Sequence, residues 1–133
     1  MGNNFFGNLF NLKKTARGKS SPSSLPVLYP EPEFRGLENS INTRPIASMR
    51  QLLGKVVLID FWTYSCINYL KYTGHDLVVL GIHASEFGFE KKYQNVLQAV
   101  KKHQIKFPGA QDNGFRLWRA YKNRYWPALY LID

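Results

Sequence analysis

Two apolar, β-branched runs separated by fourteen residues constrain this chain more than anything else in it. The first, Lys55 to Trp62, reads Lys-Val-Val-Leu-Ile-Asp-Phe-Trp and follows the turn residue Gly54. The second is Leu77-Val78-Val79-Leu80-Gly81-Ile82. Unbroken runs of this kind, without polar alternation, mark strands buried on both faces. A crossover carrying a helix needs roughly 10–12 residues or more, so residues 63–76 are near the minimum. The two runs are therefore expected as adjacent parallel strands of an α/β layer, with the first of them central.

The rest of the chain fits that layer. Phe89, Tyr93, Val96, Leu97 and Val100 fall on one face of an amphipathic helix. Glu90 sits near its start and Lys101, Lys102 and His103 near its end, as the helix dipole favours. Phe107-Pro108-Gly109 stops it. Phe115 to Tyr121 predicts a second short helix, with Leu117, Trp118 and Tyr121 on its face. Ala128 to Ile132 predicts a last strand. Upstream, residues 1–25 end in Lys-Ser-Ser-Pro-Ser-Ser and read as a flexible basic tail. The domain is expected over 26–133, opening with an extended, proline-rich stretch from Pro26 to Pro32.

Composition excludes several classes. One cysteine among 133 residues rules out an internal disulfide. A zinc site would depend on His75, His83 and His103, which lack ligand spacing, so no metal and no cofactor is expected. The net charge of +9 suits a solvated basic surface. No recognition motif accompanies it, so nucleic acid is not an expected partner. The N-terminus places Phe5, Phe6, Leu9, Phe10 and Leu12 before Lys13, Lys14, Arg17 and Lys19, the reverse of a secretory leader. That order leaves a weak membrane contact through residues 2–19 and a cytoplasmic default.

Three residues point to chemistry. Cys66 follows Trp62-Thr63-Tyr64-Ser65 at the carboxyl end of a buried strand, where sites form in α/β layers. Ser65 or Thr63 can cap the next helix. A cysteine in that first turn meets free N–H groups that favour the thiolate; the plain alternative is a buried, inert thiol. Asp60 lies inside the apolar strand. There it is either buried with a raised pKa, as suits a proton acceptor, or turned outward at the strand end. Pro127, after Trp126, comes just before the last strand, where proline is at home; it is either trans and merely structural or a cis feature of a tight turn.

The stretch Gly54 to Asn68 (Gly-Lys-Val-Val-Leu-Ile-Asp-Phe-Trp-Thr-Tyr-Ser-Cys-Ile-Asn) resembles the active-site segment of thioredoxin-like redoxins. It is most similar to the thioredoxin-like domain of DipZ-type proteins, which is fused there to a membrane electron carrier. The likeness continues through Pro32-Glu33-Phe34, Gly81 to Phe87, Asp112-Asn113 and Asn123 to Pro127, and covers roughly residues 30–133. It implies a three-layer thioredoxin-like fold with a mixed sheet, and disulfide exchange at a Cys-x-x-Cys pair. Cys66 matches the attacking cysteine and Asp60 the buried acid that serves the resolving cysteine. Trp62, Trp126 and Pro127 match the substrate groove, Pro127 being the cis-proline beside which substrate pairs as an added strand. The resemblance also implies an extracytoplasmic, membrane-associated setting.

Three departures qualify these expectations. The resolving position is Tyr69, so exchange would be monothiol, with glutathione or another outside thiol releasing the product, and Asp60 would lose the donor it ordinarily serves. Residues 70–74 run almost at once into the next strand, so the active-site helix is expected to be short by roughly three turns. The family's final strand and helix are not found after Ile132, which would leave residues 128–132 as an exposed edge prone to self-association. The expected function is thus an impaired or monothiol thiol-disulfide oxidoreductase acting on disulfide-bearing proteins or low-molecular-weight thiols. The alternatives are a non-catalytic thioredoxin-fold binding module, a degenerate gene product and, less favoured, a basic nucleic-acid binder.

Overall fold

The computed structural model describes residues 12–16, 27–66 and 77–132. Seven strands form one mixed sheet in the order β2-β1-β7-β4-β5-β6-β3. They are β1 (Leu12–Ala16), β2 (Val27–Pro30), β3 (Glu38–Ile41), β4 (Val56–Trp62), β5 (Leu77–His83), β6 (Gly109–Gln111) and β7 (Ala128–Ile132). The two apolar runs are β4 and β5, parallel neighbours in register from Val56 with Leu77 to Trp62 with His83. β4 is the central strand of the seven. Gly54 makes the turn before it at φ +79°, a backbone region that suits glycine.

Helices cover both faces, giving three layers. On one face Val57, Ile59 and Phe61 of β4 pack with Leu117, Trp118 and Tyr121 around α2 (Arg116–Ala120). On the other, Trp62 packs with Val96 and Val100 of α1 (Tyr93–Lys102) and with Ile41. The expected start of α1 shifts. Lys92 is extended at φ −68° and ψ 120°, so α1 begins at Tyr93. Phe89 falls in a separate 3-10 turn, Gly88–Lys91, and is exposed instead of joining the buried face. Ala99, too small to stand out in the sequence, takes its place. α2 owes its start to Asp112, whose buried carboxylate accepts from the N–H groups of Arg116, Leu117 and Trp118 at 2.9, 3.3 and 2.8 Å.

Two expectations about the ends of the chain are corrected. β7 is not an edge: it pairs antiparallel with β4 and parallel with β1. Its outer N–H and C=O groups find partners in Leu12–Ala16, so self-association through the last strand has no free edge to use. The edges of the sheet are β2 and β3. Leu12–Ala16, within the expected tail, thus contributes a strand, and Val27–Pro30 lies beside it as β2. The expected shortening of the active-site helix concerns residues 67–76, which lie outside the described residues, as does Tyr69.

Candidate functional site

Register brings three loops to one end of the sheet. Trp62 pairs with His83, and Phe61 pairs with Ala128. β4 and β5 therefore end where β7 begins. The chain leaves β4 into the 3-10 turn Tyr64–Cys66 and enters β7 through the cis Trp126–Pro127 peptide. The loops are tied together: the Ala84 N–H donates to the Trp62 carbonyl at 3.0 Å, and the Trp126 indole N–H donates to the Ala84 carbonyl at 2.9 Å. Trp126 also leans on Trp118, with ring centroids 4.4 Å apart.

Strand alternation sorts the side chains beneath this end. Residues 57, 59 and 61 face the apolar core, so Leu58, Asp60 and Trp62 share the opposite face. Cross-strand register adds Gly81 beside Asp60 and His83 beside Trp62. Asp60 is buried, which overturns its outward placement. Among the described residues its Oδ1 has no hydrogen-bond partner, and neither have Trp62 Nε1 and His83 Nδ1. Burial pushes the Asp60 carboxyl up to about 7. Burial also pulls the His83 imidazole down to about 4, against the opposing field of Glu90. His83 is fully enclosed, with Trp62 edge-on at 4.8 Å between centroids and Tyr64 stacked at 5.6 Å.

Glu90 is the residue sequence reasoning misses; in the sequence it shows only as a favourable charge near a helix start. Its buried carboxylate accepts from the Ser65 N–H at 3.2 Å through one oxygen. The other oxygen accepts from the N–H groups of Glu86 and Phe87 at 2.7 and 2.8 Å. Burial works against the charge, but hydrogen bonds from Ser65 and from the Phe87 and Glu86 backbone outweigh it and hold the pKa below the usual range. One carboxylate thus pins the turn that ends in Cys66 to the loop after β5. Ser65 gives its N–H to Glu90, while the expected cap role of Ser65 or Thr63 concerns a helix outside the described residues. A hint was available: a lone acid among Phe87, Phe89 and Tyr93 needs donors if it is buried.

The remaining candidates fall as follows. Cys66, Trp62, Trp126 and Pro127 all lie at this sheet end, with Asp60 two residues deeper in β4. Among the described residues no group of three or more His, Cys, Asp or Glu side chains is placed to hold a metal ion.

The fold is thioredoxin-like. Among solved structures the chain is similar to the thioredoxin-like superfamily protein SPOA0173, with a TM-score of 0.67 and 22% identity over 77% of this chain and 78% of that one. It is also similar to a thiol-disulfide isomerase from Corynebacterium glutamicum, with a TM-score of 0.63 and 20% identity over 77% and 79% of the two chains. In sequence it is 43% identical over 116 residues to Protein DipZ of Mycobacterium tuberculosis, a match covering 77% of this chain. It is 34% identical over 114 residues to the human NHL repeat-containing protein 2, a match covering 76% of this chain. In both cases the match spans only 16% of the relative's length. No family model matches the chain.

Proposed function

We propose that this chain carries out thiol-disulfide exchange through Cys66 by a monothiol route. The observation that carries the reading is the β4–β7 register, which sets the Cys66 turn beside the Trp126–Pro127 entry to β7 and above the buried Asp60. The relatives support it: solved structures of this fold include proteins described as thiol-disulfide isomerase and disulfide oxidoreductase. The Cys66 thiolate attacks one sulfur of a substrate disulfide. The S–S bond breaks, the departing sulfur leaves as a thiolate that takes up a proton, and a mixed disulfide with Cys66 remains. With no second cysteine in the chain, an outside thiol such as glutathione attacks that mixed disulfide. It releases the reduced substrate and leaves glutathione on Cys66; a second glutathione then restores the thiolate and departs as glutathione disulfide. Asp60, with a pKa near neutrality, is assigned as the proton acceptor for the incoming thiol. Trp62, Trp126 and Pro127 are assigned to the groove in which a disulfide-bearing polypeptide lies. Tyr69 takes the place of the resolving cysteine.

The test is alkylation of Cys66 by iodoacetamide across pH, followed by glutathione-driven reduction of a polypeptide disulfide. The expected result is a thiol pKa below the free value of ~8.5 and turnover that disappears in Cys66→Ser. A free-thiol pKa without turnover would end the catalytic reading and pass the fold to a non-catalytic binding module.

A further inference from the structure

Phe87 and Phe89 are stacked face to face, with centroids 5.6 Å apart and ring planes within 5°. They remain 49% and 55% exposed. A stacked pair of large aromatic rings half open to solvent is an unusual use of apolar surface, and the stacking itself holds the rings ready for a third apolar group. The pair does not stand alone. Tyr64, two residues before Cys66, lies against Phe89 at 6.2 Å between centroids. Glu90 grips the backbone of Phe87 with one oxygen and that of Ser65 with the other. The aromatic pair and the Cys66 turn are therefore held as one unit by a buried charge whose own hydrogen bonds are satisfied.

The charge around this end has a sign. Lys91 and Lys92 follow the platform, and Arg124 precedes the Trp126–Pro127 peptide; all three are exposed. The exposed acids at the same end are Glu86 and, on edge strand β3, Glu38, whose carboxylate accepts from the Asn113 amide at 3.3 Å. Cations thus flank both sides of the sheet end.

We propose that the Phe87–Phe89 platform is a specificity surface that takes an apolar side chain of an acidic, extended polypeptide whose disulfide lies over Cys66, with Glu90 as the positioning residue. The proposal rests on the thiol-exchange reading of Cys66 and names the substrate class it serves: polypeptides with an apolar residue near the cystine and acids farther out, in preference to small disulfides. Uniform backbone pairing beside Pro127 carries no side-chain preference, so the platform supplies the discrimination.

Two synthetic peptides test this on the full chain. One carries phenylalanine beside its cysteine and glutamate flanks; the other carries serine and lysine at those places. Each is made with serine replacing the cysteine, for affinity, and as a glutathione mixed disulfide, for reaction. The unreactive acidic peptide is expected to bind about tenfold more tightly than the basic one, with the difference shrinking as salt rises. The double variant F87S/F89S should lose most of that difference at an unchanged melting temperature. It should react with glutathione disulfide at the wild-type rate while its KM for the acidic peptide disulfide rises about fivefold or more. In Glu90→Gln the platform rings remain, yet KM for the acidic peptide disulfide should rise more than KM for glutathione disulfide. Equal wild-type affinity for the two peptides, or a double variant that retains the preference, would overturn the platform. A preserved peptide preference with no reaction at Cys66 would overturn the exchange reading instead.

Discussion

The two faces of β4 are built on opposite terms. Residues 57, 59 and 61 enter an aromatic core: Phe61 is edge-on to Trp118, Tyr121 and Tyr130 at 5.7, 5.5 and 5.7 Å. There the buried Tyr130 hydroxyl donates to Asn123 Oδ1 at 3.0 Å. Residues 60 and 62, with His83 across from them, leave three buried polar atoms without partners among the described residues. One face of the strand stabilises the fold, and the other carries a cost of about 1–3 kcal/mol for each unmet group. That cost falls at the end of the sheet where Cys66 sits, which is where a fold tolerates unsatisfied groups that serve chemistry.

The largest break in this comparison comes from the aromatic face. Phe61→Ala removes a fully buried ring from the meeting point of three aromatics, and about 3–5 kcal/mol of stability should go with it. Out of a domain total of about 5–15 kcal/mol, that loss should show as a large drop in the urea midpoint. Truncation on the opposite face is expected to behave differently. Asp60→Leu removes a buried carboxyl whose Oδ1 lacks a hydrogen-bond partner among the described residues and should raise the midpoint while lowering exchange activity. A fall in stability for Asp60→Leu would mean that this face is satisfied after all.

The next effect is one of pH, and it arises from two groups of opposite sign. Asp60 has its pKa raised from 3.8 to about 7, so between those values the folded state holds a proton that the unfolded state has lost. Its stabilising contribution is full below pH 3.8 and is lost as pH rises toward 7. His83 has its pKa lowered from 6.5 to about 4, so the unfolded state takes up the proton first. Its contribution is full above pH 6.5 and is lost as pH falls toward 4. Between about pH 4.5 and 6.5 the two slopes oppose, each bounded by about 1.4 kcal/mol per pH unit. The wild-type stability should therefore be nearly flat with respect to these two groups. Asp60→Asn should expose a rise with pH across that window, and His83→Phe a fall. Urea titrations at a series of pH values decide it; parallel profiles for the two variants would show that neither group titrates as burial requires.

A smaller loss is expected at the clamp. Glu90→Gln replaces a charged acceptor of three N–H groups with a neutral amide having one oxygen. About 1.5–3 kcal/mol should be lost, with faster amide exchange at Ser65 and Phe87 and unchanged protection in β7. Loss of protection across the whole sheet would make Glu90 a general core residue.

How much of this could be read from the sequence follows the same division. β4, β5, α2 and β7 announce themselves because periodicity and β-branched content are local signals. β3 and β6 do not: Glu-Asn-Ser-Ile and Gly-Ala-Gln are strands only because β5 offers an edge and Asn39 and Gln111 bond across it at 2.9 Å. β1 escapes for a similar reason, since its partner lies more than a hundred residues away in β7. Cys66, Asp60 and Pro127 stand out by residue type against their context. Glu90 does not, because its role depends on three donors contributed by two separate loops.

The smallest expected effect probes the ceiling of the polar face. A methyl group placed on Gly81 would overlap the Phe107 ring, with Cδ2 at 2.8 Å, and would stand 2.9 Å from Trp62 Nε1. Both rings are on the Asp60 side of the sheet, so Gly81→Ala tests that side without touching Phe61. Phe107 is only partly buried and can swing outward. Trp62, between His83 and the α1 face, must give slightly as well. The cost should therefore lie at the low end of the overpacking range, about 1 kcal/mol. It should appear as a changed environment for Trp62 in near-ultraviolet circular dichroism, with Cys66 alkylation slowed because the Trp62 carbonyl and the turn that follows shift together. If the methyl is absorbed with no change in either signal, the two faces of β4 differ in polarity but not in how tightly they are packed, and the unmet groups of Asp60, Trp62 and His83 sit in a looser layer than the register implies.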